Sequence, residues 1–174
     1  TTQSLSDKVL DRSNVLRFGK PASRLLKNSD NHEPEKANGF LTHELWKNWI
    51  TPYDVQSPWS SQIAGWTEEI NVALEKIGRP FGYRVEKAIL AYVANYPRLG
   101  TGEVYKLAFA DQIEQKILPK LRGLDVSDPH AADCLTQIQD IIVELGDREF
   151  TDAFNEAKEK SNTNLFLWHG VSRS

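Results

Sequence analysis

The chain has 174 residues and a mass of 19.8 kDa, with 21 basic and 24 acidic residues and a net charge of −3. This length predicts one domain, or one domain with an appendage. The acidic balance disfavours direct nucleic-acid binding through overall charge. No apolar run approaches ~18 residues and the N-terminus is polar, so we expect a cytoplasmic protein with neither membrane span nor signal peptide.

Two residue counts bear on organisation and chemistry. A single cysteine, Cys134, excludes an internal disulfide and a cysteine-clustered zinc site. The chain contains no methionine, and we therefore expect it to be a segment of a longer protein.

The first elements predicted in chain order are a helix and a strand. Ser4 can cap a helix that ends near Arg12. Residues 14–18 then have the pattern of a short strand, which ends at Gly19. Because no neighbouring segment could pair with this strand, we expect either that it packs irregularly or that its sheet lies upstream of Thr1.

The remainder is predicted to be helical. Residues 19–39 are polar and are typical of an exposed loop. Gly65 lies inside a predicted helix, where it costs ~1 kcal/mol, and we expect it to permit close packing. The residues from Leu165 to Trp168 form an apolar patch that we expect to be exposed. Apolar spacing and start and stop signals predict helices over about 41–50, 58–77, 83–96, 104–118, 129–145 and 150–157.

Most catalytic and metal motifs are missing from the sequence. The four histidines, His32, His43, His130 and His169, have no ligand spacing, so no metal site is predicted. No nucleophile elbow is present, and Cys134 is expected to be a partly buried thiol within a helix. No stretch matches a phosphate-binding P-loop, and no acidic motif follows a hydrophobic strand.

Two arginines are candidate anion ligands. Arg12 ends the first helix, and its planar guanidinium suits phosphate oxygens. Arg84 lies in the first turn of a helix, where backbone N–H groups and the dipole favour anions. The alternative is that both are solvated or paired surface residues, with Asp7 and Asp11 as partners for Arg12. The four tryptophans from Trp46 to Trp66 are expected to lie mainly in the core.

Three segments, in the expected order, resemble AAA+ NTPases of the McrB type, the motor subunits of modified-cytosine restriction systems. Residues 1–18 (TTQSLSDKVLDRSNVLRF) resemble the stretch after sensor 1, with its Leu-Asp-Arg motif and the last strand of the core sheet. Residues 81–85 (FGYRV) resemble the start of the sensor-2 helix, and residues 111–123 (DQIEQKILPKLRG) resemble a later segment of the helical lid.

The resemblance implies a mainly α fold in four parts. Residues 1–20 would be the C-terminal end of the AAA+ α/β core, contributing one helix and one strand, and residues 21–39 a loop or linker. Residues 40–123 would form the helical lid, and residues 124–174 a C-terminal helical extension. The extension itself resembles no family that we can name.

The resemblance also implies roles and partners. Arg12 would be the arginine finger that reaches a neighbouring subunit's nucleotide, and Arg84 the sensor-2 residue. The longer parent would hydrolyse GTP or ATP with Mg²⁺ in a ring-shaped homo-oligomer, with a nuclease subunit as a further partner. Because this chain lacks the Walker A and Walker B motifs, we expect it to hold no cofactor and to be inactive alone. The alternative is a self-standing helical interaction module without enzymatic activity.

Overall fold

A computed structural model describes residues 6–16, 39–52, 57–97, 102–159 and 164–171, and within these ranges the chain is mainly α-helical. The predicted mainly α class is therefore confirmed. None of the described helices has the length and apolar character needed to cross a membrane. The helices are α1 (Asp7–Leu10), α2 (His43–Trp49), α3 (Pro58–Glu75), α4 (Tyr83–Ala94), α5 (Val104–Gln112), α6 (Pro129–Glu144) and α7 (Arg148–Glu159).

Local signals in the sequence account for the helix ends. Pro58 opens α3 directly after Ser57, because the missing proline N–H is no loss at this position. The Asp128 side chain caps α6 by accepting a hydrogen bond from the Ala131 N–H at 2.9 Å. At the end of α3 the chain turns at Gly78, whose φ of 71° favours glycine.

The predicted helix over 104–118 changes its winding partway. After α5, residues Ile113–Ile117 form a π turn and Leu118–Leu121 form a 3-10 turn. A π turn accommodates an extra residue and so shifts the phase of the side chains that follow. This shift accompanies the burial of Lys116 and Lys120, which are 7% and 2% exposed.

The predicted strand over residues 14–18 is not formed in the described residues 14–16, and residues 17 and 18 lie outside the description. The Val15 N–H donates instead to the Gln115 carbonyl oxygen of the π turn at 3.2 Å. A lone extended segment needs a partner for its backbone, and here a helical turn supplies it. The helix predicted over 4–12 is shorter in the structure: it spans Asp7–Leu10, and residues 11 and 12 form a turn, while residues 4 and 5 lie outside the described part of the chain.

One hydrophobic core extends from α3 to the C-terminal segment. Helix α3 packs against α4 and α6, α4 packs against α5, and α6 packs against α7. Trp66 of α3 stacks on Phe109 of α5 with 5.7 Å between ring centroids. The core therefore includes residues from both the predicted lid (40–123) and the predicted extension (124–174).

The expectation of an exposed apolar tail is wrong for two of its residues. Phe166 and Trp168 are buried, and Phe166 lies against Phe154 with ring centroids 5.4 Å apart. An isolated antiparallel bridge between Asp125 and Leu165 aligns the segment, and the Phe166 N–H donates to the Leu124 oxygen at 2.7 Å. The tail thus completes the core.

The four tryptophans divide between core and surface. Trp66 is buried and Trp59 packs against the core, as predicted. Trp46 and Trp49 lie on α2, which buries none of its residues, and their exposed fractions are 47% and 67%. Helix α2 has the predicted apolar stripe, but in the described part of the chain no other segment buries it.

Candidate functional site

The two candidate arginines line one small cleft, although they are far apart in the sequence. The cleft has a volume of about 210 Å³ and lies between the end of α1 and the start of α4. We call it the arginine cleft, and its lining residues are Lys8, Asp11, Arg12, Gly82, Arg84 and Val85.

Short local structures place both arginines at the surface. Arg12 follows α1, where its N–H donates to the Val9 oxygen at 3.1 Å, and its side chain is exposed. Arg84 is the second residue of α4 and is also exposed. Helix α4 has no side-chain cap at Gly82. Because Gly82 and Arg84, at the start of α4, line the cleft, the positive end of the α4 dipole lies beside it.

Two buried lysines hold the residues on either side of Arg12. The Lys120 ammonium lies 2.6 Å from the Asp11 carboxylate, at ion-pair distance but without hydrogen-bond geometry. The Lys116 ammonium donates to the Ser13 carbonyl oxygen at 3.0 Å. Burial lowers the pKa of Lys116, and the nearby Asp11 charge opposes this shift. The π and 3-10 turns thereby fix the backbone that carries Arg12.

This arrangement changes the charge balance predicted for the cleft. Asp11 pairs with Lys120 rather than with Arg12, so the alternative in which Asp11 neutralises Arg12 is wrong. Among the side chains that the structure describes, no ion pair is formed by Arg12 or Arg84; the Asp7 side chain lies outside the description. The cleft is therefore lined by two arginines, one lysine and one aspartate, and the aspartate carboxylate is already paired with Lys120.

The remaining candidate residues do not join this cleft. Cys134 is buried in α6, and burial raises the pKa of its thiol to about 11, as suits an unreactive core residue. His43 stacks on Trp46, with 5.7 Å between ring centroids. Within the described residues, no group of three or more His, Cys, Asp or Glu side chains could hold a metal ion. His32 lies outside those residues.

The chemistry available at the arginine cleft is anion binding. Guanidinium groups bind phosphate oxygens through paired N–H donors, and a helix start adds a favourable dipole. Sequence reasoning found both arginines but missed Lys116 and Lys120. Their only signal was the resemblance of residues 111–123 to a lid segment, which gave no role to either lysine.

Comparison with known proteins identifies a family but no described relative. A family model described as Domain of unknown function (DUF8727) matches residues 35–163, so the chain belongs to this family. The matched region includes Arg84, Lys116 and Lys120, and Arg12 precedes it. No curated protein and no solved structure matches the chain.

Proposed function

We propose that this member of the DUF8727 family is the C-terminal part of an AAA+ NTPase of the McrB type. In this proposal Arg12 serves as the arginine finger and Arg84 as the sensor-2 residue. The observation that carries it is that the exposed residues Arg12 and Arg84 line one cleft, while the carboxylate of the neighbouring Asp11 is paired with Lys120.

The physical case rests on where charge develops during phosphoryl transfer. Negative charge spreads over phosphate oxygens in the transition state, and an arginine finger is worth about 10³-fold or more in rate. Because Arg12 and Arg84 share one cleft, we propose that they contact the same phosphate chain. Lys8 adds a third cation to that contact.

The other components of the reaction would come from outside this chain. Walker A and Walker B motifs, which the sequence lacks, would hold the GTP or ATP and its Mg²⁺. Neighbouring subunits would complete a ring, and a nuclease subunit would couple the motor to DNA restriction in the cytoplasm. In this proposal the chain would contribute cations and a lid only, and it would therefore be inactive alone.

The test compares two polypeptides for GTP and ATP hydrolysis. One is the 174-residue chain, and the other is the product of the complete reading frame that encodes it. The proposal predicts hydrolysis by the second and none by the first. Robust turnover by the shorter chain, or a complete product that neither binds nor hydrolyses nucleotide, would contradict the proposal.

A second candidate function is a helical interaction module. The observation that favours it is the exposure of apolar side chains on α2 and just before it: Trp49 on α2 is 67% exposed, and Phe40, which precedes α2, is 99% exposed. Exposed apolar side chains that form a large patch mark protein contacts. The sequence upstream of Thr1 discriminates between the two candidates. A P-loop followed by an acidic strand there favours the NTPase, and a start codon directly before Thr1 favours the module.

A further inference from the structure

A second, larger cleft lies at the opposite end of α4 from Arg84. Its volume of about 590 Å³ falls within the range of small-molecule binding pockets. Tyr92 and Tyr96 line it from α4 and the turn that follows, and Val104, Leu107 and Asp111 line it from α5. We call it the tyrosine cleft. Tyr92 lies about 12 Å along α4 from Arg84, at 1.5 Å per residue.

Most of the polar capacity at the wall of the tyrosine cleft is already used. The Asn95 amide oxygen accepts from the Thr51 N–H at 2.7 Å, and its nitrogen donates to the Thr51 and Ala91 oxygens at 3.0 and 2.8 Å. These three bonds leave the Asn95 amide with little capacity for a ligand. Asp111 therefore becomes the main polar group of the cleft.

Asp111 retains hydrogen-bond acceptor capacity for a ligand. The Tyr92 hydroxyl donates to its carboxylate at 3.1 Å. Burial, followed by the Asp111 charge, raises the pKa of Tyr92 to about 12, so the phenol keeps its proton and remains a donor. In the described part of the chain no basic side chain pairs with Asp111, and the nearby Lys106 pairs with Glu103 at 2.9 Å. A carboxylate offers about four acceptor sites, and one tyrosine occupies only one of them.

Aromatic rings complete an environment that favours a cation. The Tyr92 and Tyr96 rings lie 5.8 Å apart, with 53° between their planes. Aromatic faces carry negative potential and attract ammonium groups within about 6 Å of the ring centroid. Leu107, which is 46% exposed, and Val104 add apolar surface to the same cleft. The complementary ligand therefore has one positive charge and an apolar body.

We propose that the tyrosine cleft binds a small organic ammonium ion with an apolar body. The ammonium group lies at Asp111, and the body packs among Tyr92, Tyr96 and Leu107. This site is independent of the arginine cleft, whose ligand is an anion, so the two proposals stand or fall separately.

The test uses isothermal titration calorimetry on the 174-residue chain with three probes of similar shape. These are 2-phenylethylammonium, the neutral 2-phenylethanol and the anionic 3-phenylpropanoate. We expect the ammonium to bind at least about tenfold more tightly than the alcohol, and the anion to bind least, since charge pairing and cation–π attraction add for the cation alone. Absence of ammonium binding, or equal affinity for the alcohol, would overturn the proposal.

Two variants locate the binding. Asp111→Asn removes the charge and keeps the shape, and we expect it to weaken ammonium binding about tenfold. Asp140→Asn is the matched control, because Asp140 lines a separate acidic cleft with Glu68, Glu69 and Glu144. Equal weakening by both variants would assign the binding to general charge, and no weakening by Asp111→Asn would show that Asp111 does not hold the ammonium group. Either result would overturn the site. The probe comparison needs no variant, so the proposal remains testable if Asp111→Asn fails to fold.

Discussion

The buried ion pair between Lys120 and Asp11 makes an asymmetric prediction about stability. Lys120 has a side chain that is 1% exposed, whereas that of Asp11 is 31% exposed. Asp11→Ala leaves a buried ammonium without its partner. Lys120→Met instead leaves a carboxylate that water can still reach, and the methionine keeps the backbone oxygen to which Arg79 donates.

The magnitude follows from this difference in burial. Breaking a fully buried pair costs about 3–5 kcal/mol. The loss here is smaller, because the Asp11 side chain is 31% exposed and water already reaches the pair from that side. We therefore expect Asp11→Ala to lower the free energy of unfolding by about 2 kcal/mol and Lys120→Met by about 1 kcal/mol. The double variant should be less destabilised than Asp11→Ala alone.

Urea unfolding followed by tryptophan fluorescence provides the assay. The matched control is Asp133→Ala, which breaks an exposed Lys76–Asp133 pair of 2.9 Å whose side chains are 40% and 55% exposed. This control should cost no more than about 0.5 kcal/mol. If Asp11→Ala costs no more than Asp133→Ala, or less than Lys120→Met, Lys120 does not depend on Asp11 and the proposed support of Arg12 is refuted.

Two further predictions concern α3 and α6. Gly65→Ala should stabilise the protein by about 0.5–1 kcal/mol, because a Cβ at this position meets no atom within 4 Å and alanine is the better helix former. Destabilisation measured by urea unfolding would contradict this prediction and would support the close packing that the sequence first suggested at Gly65. The pKa of the Cys134 thiol is about 11 in the native state, whereas it is 9.0 in the unfolded chain. Native stability should therefore fall by about 2–3 kcal/mol between pH 9 and pH 11. Cys134→Ala should reduce this slope, and an unchanged slope would exclude the thiol as its cause.

Residues with local signals made much of the fold predictable. Ser57 with Pro58, and Asp128 with Pro129, mark helix starts, and Gly78 and Gly146 mark chain reversals at positive φ. These features depend on a few neighbouring residues, so a single sequence contains the information that places them.

Features that depend on distant contacts were not predictable. The burial of Phe166 requires the bridge between Asp125 and Leu165, and the periodicity of the tail contains no sign of it. The π turn shifts the phase of the helix that contains Lys116, whereas sequence reasoning assumed 3.6 residues per turn. Helix α2 has a clear apolar stripe, and yet Trp49 is exposed, because periodicity predicts a buried face and not its partner.

The candidate site was predictable in its residues and not in its arrangement. The resemblance gave Arg12 and Arg84 a role each and did not predict that they lie close together, whereas the structure places both residues at one cleft. The support for Arg12 depends on Lys120, whose burial follows from the packing of α1 against the 3-10 turn. Both the arginine cleft and the ion pair that holds Asp11 depend on contacts between segments that are far apart in the sequence.

The most direct test of the proposed function measures kcat and nucleotide affinity for Arg12→Ala in the product of the complete reading frame. We expect hydrolysis to fall about 10³-fold or more while nucleotide affinity changes little, as for the loss of an arginine finger. Arg148→Ala is the control, because Arg148 is 92% exposed on α7 and lies outside the arginine cleft, and it should leave both quantities unchanged. Unchanged hydrolysis in Arg12→Ala would contradict the assignment.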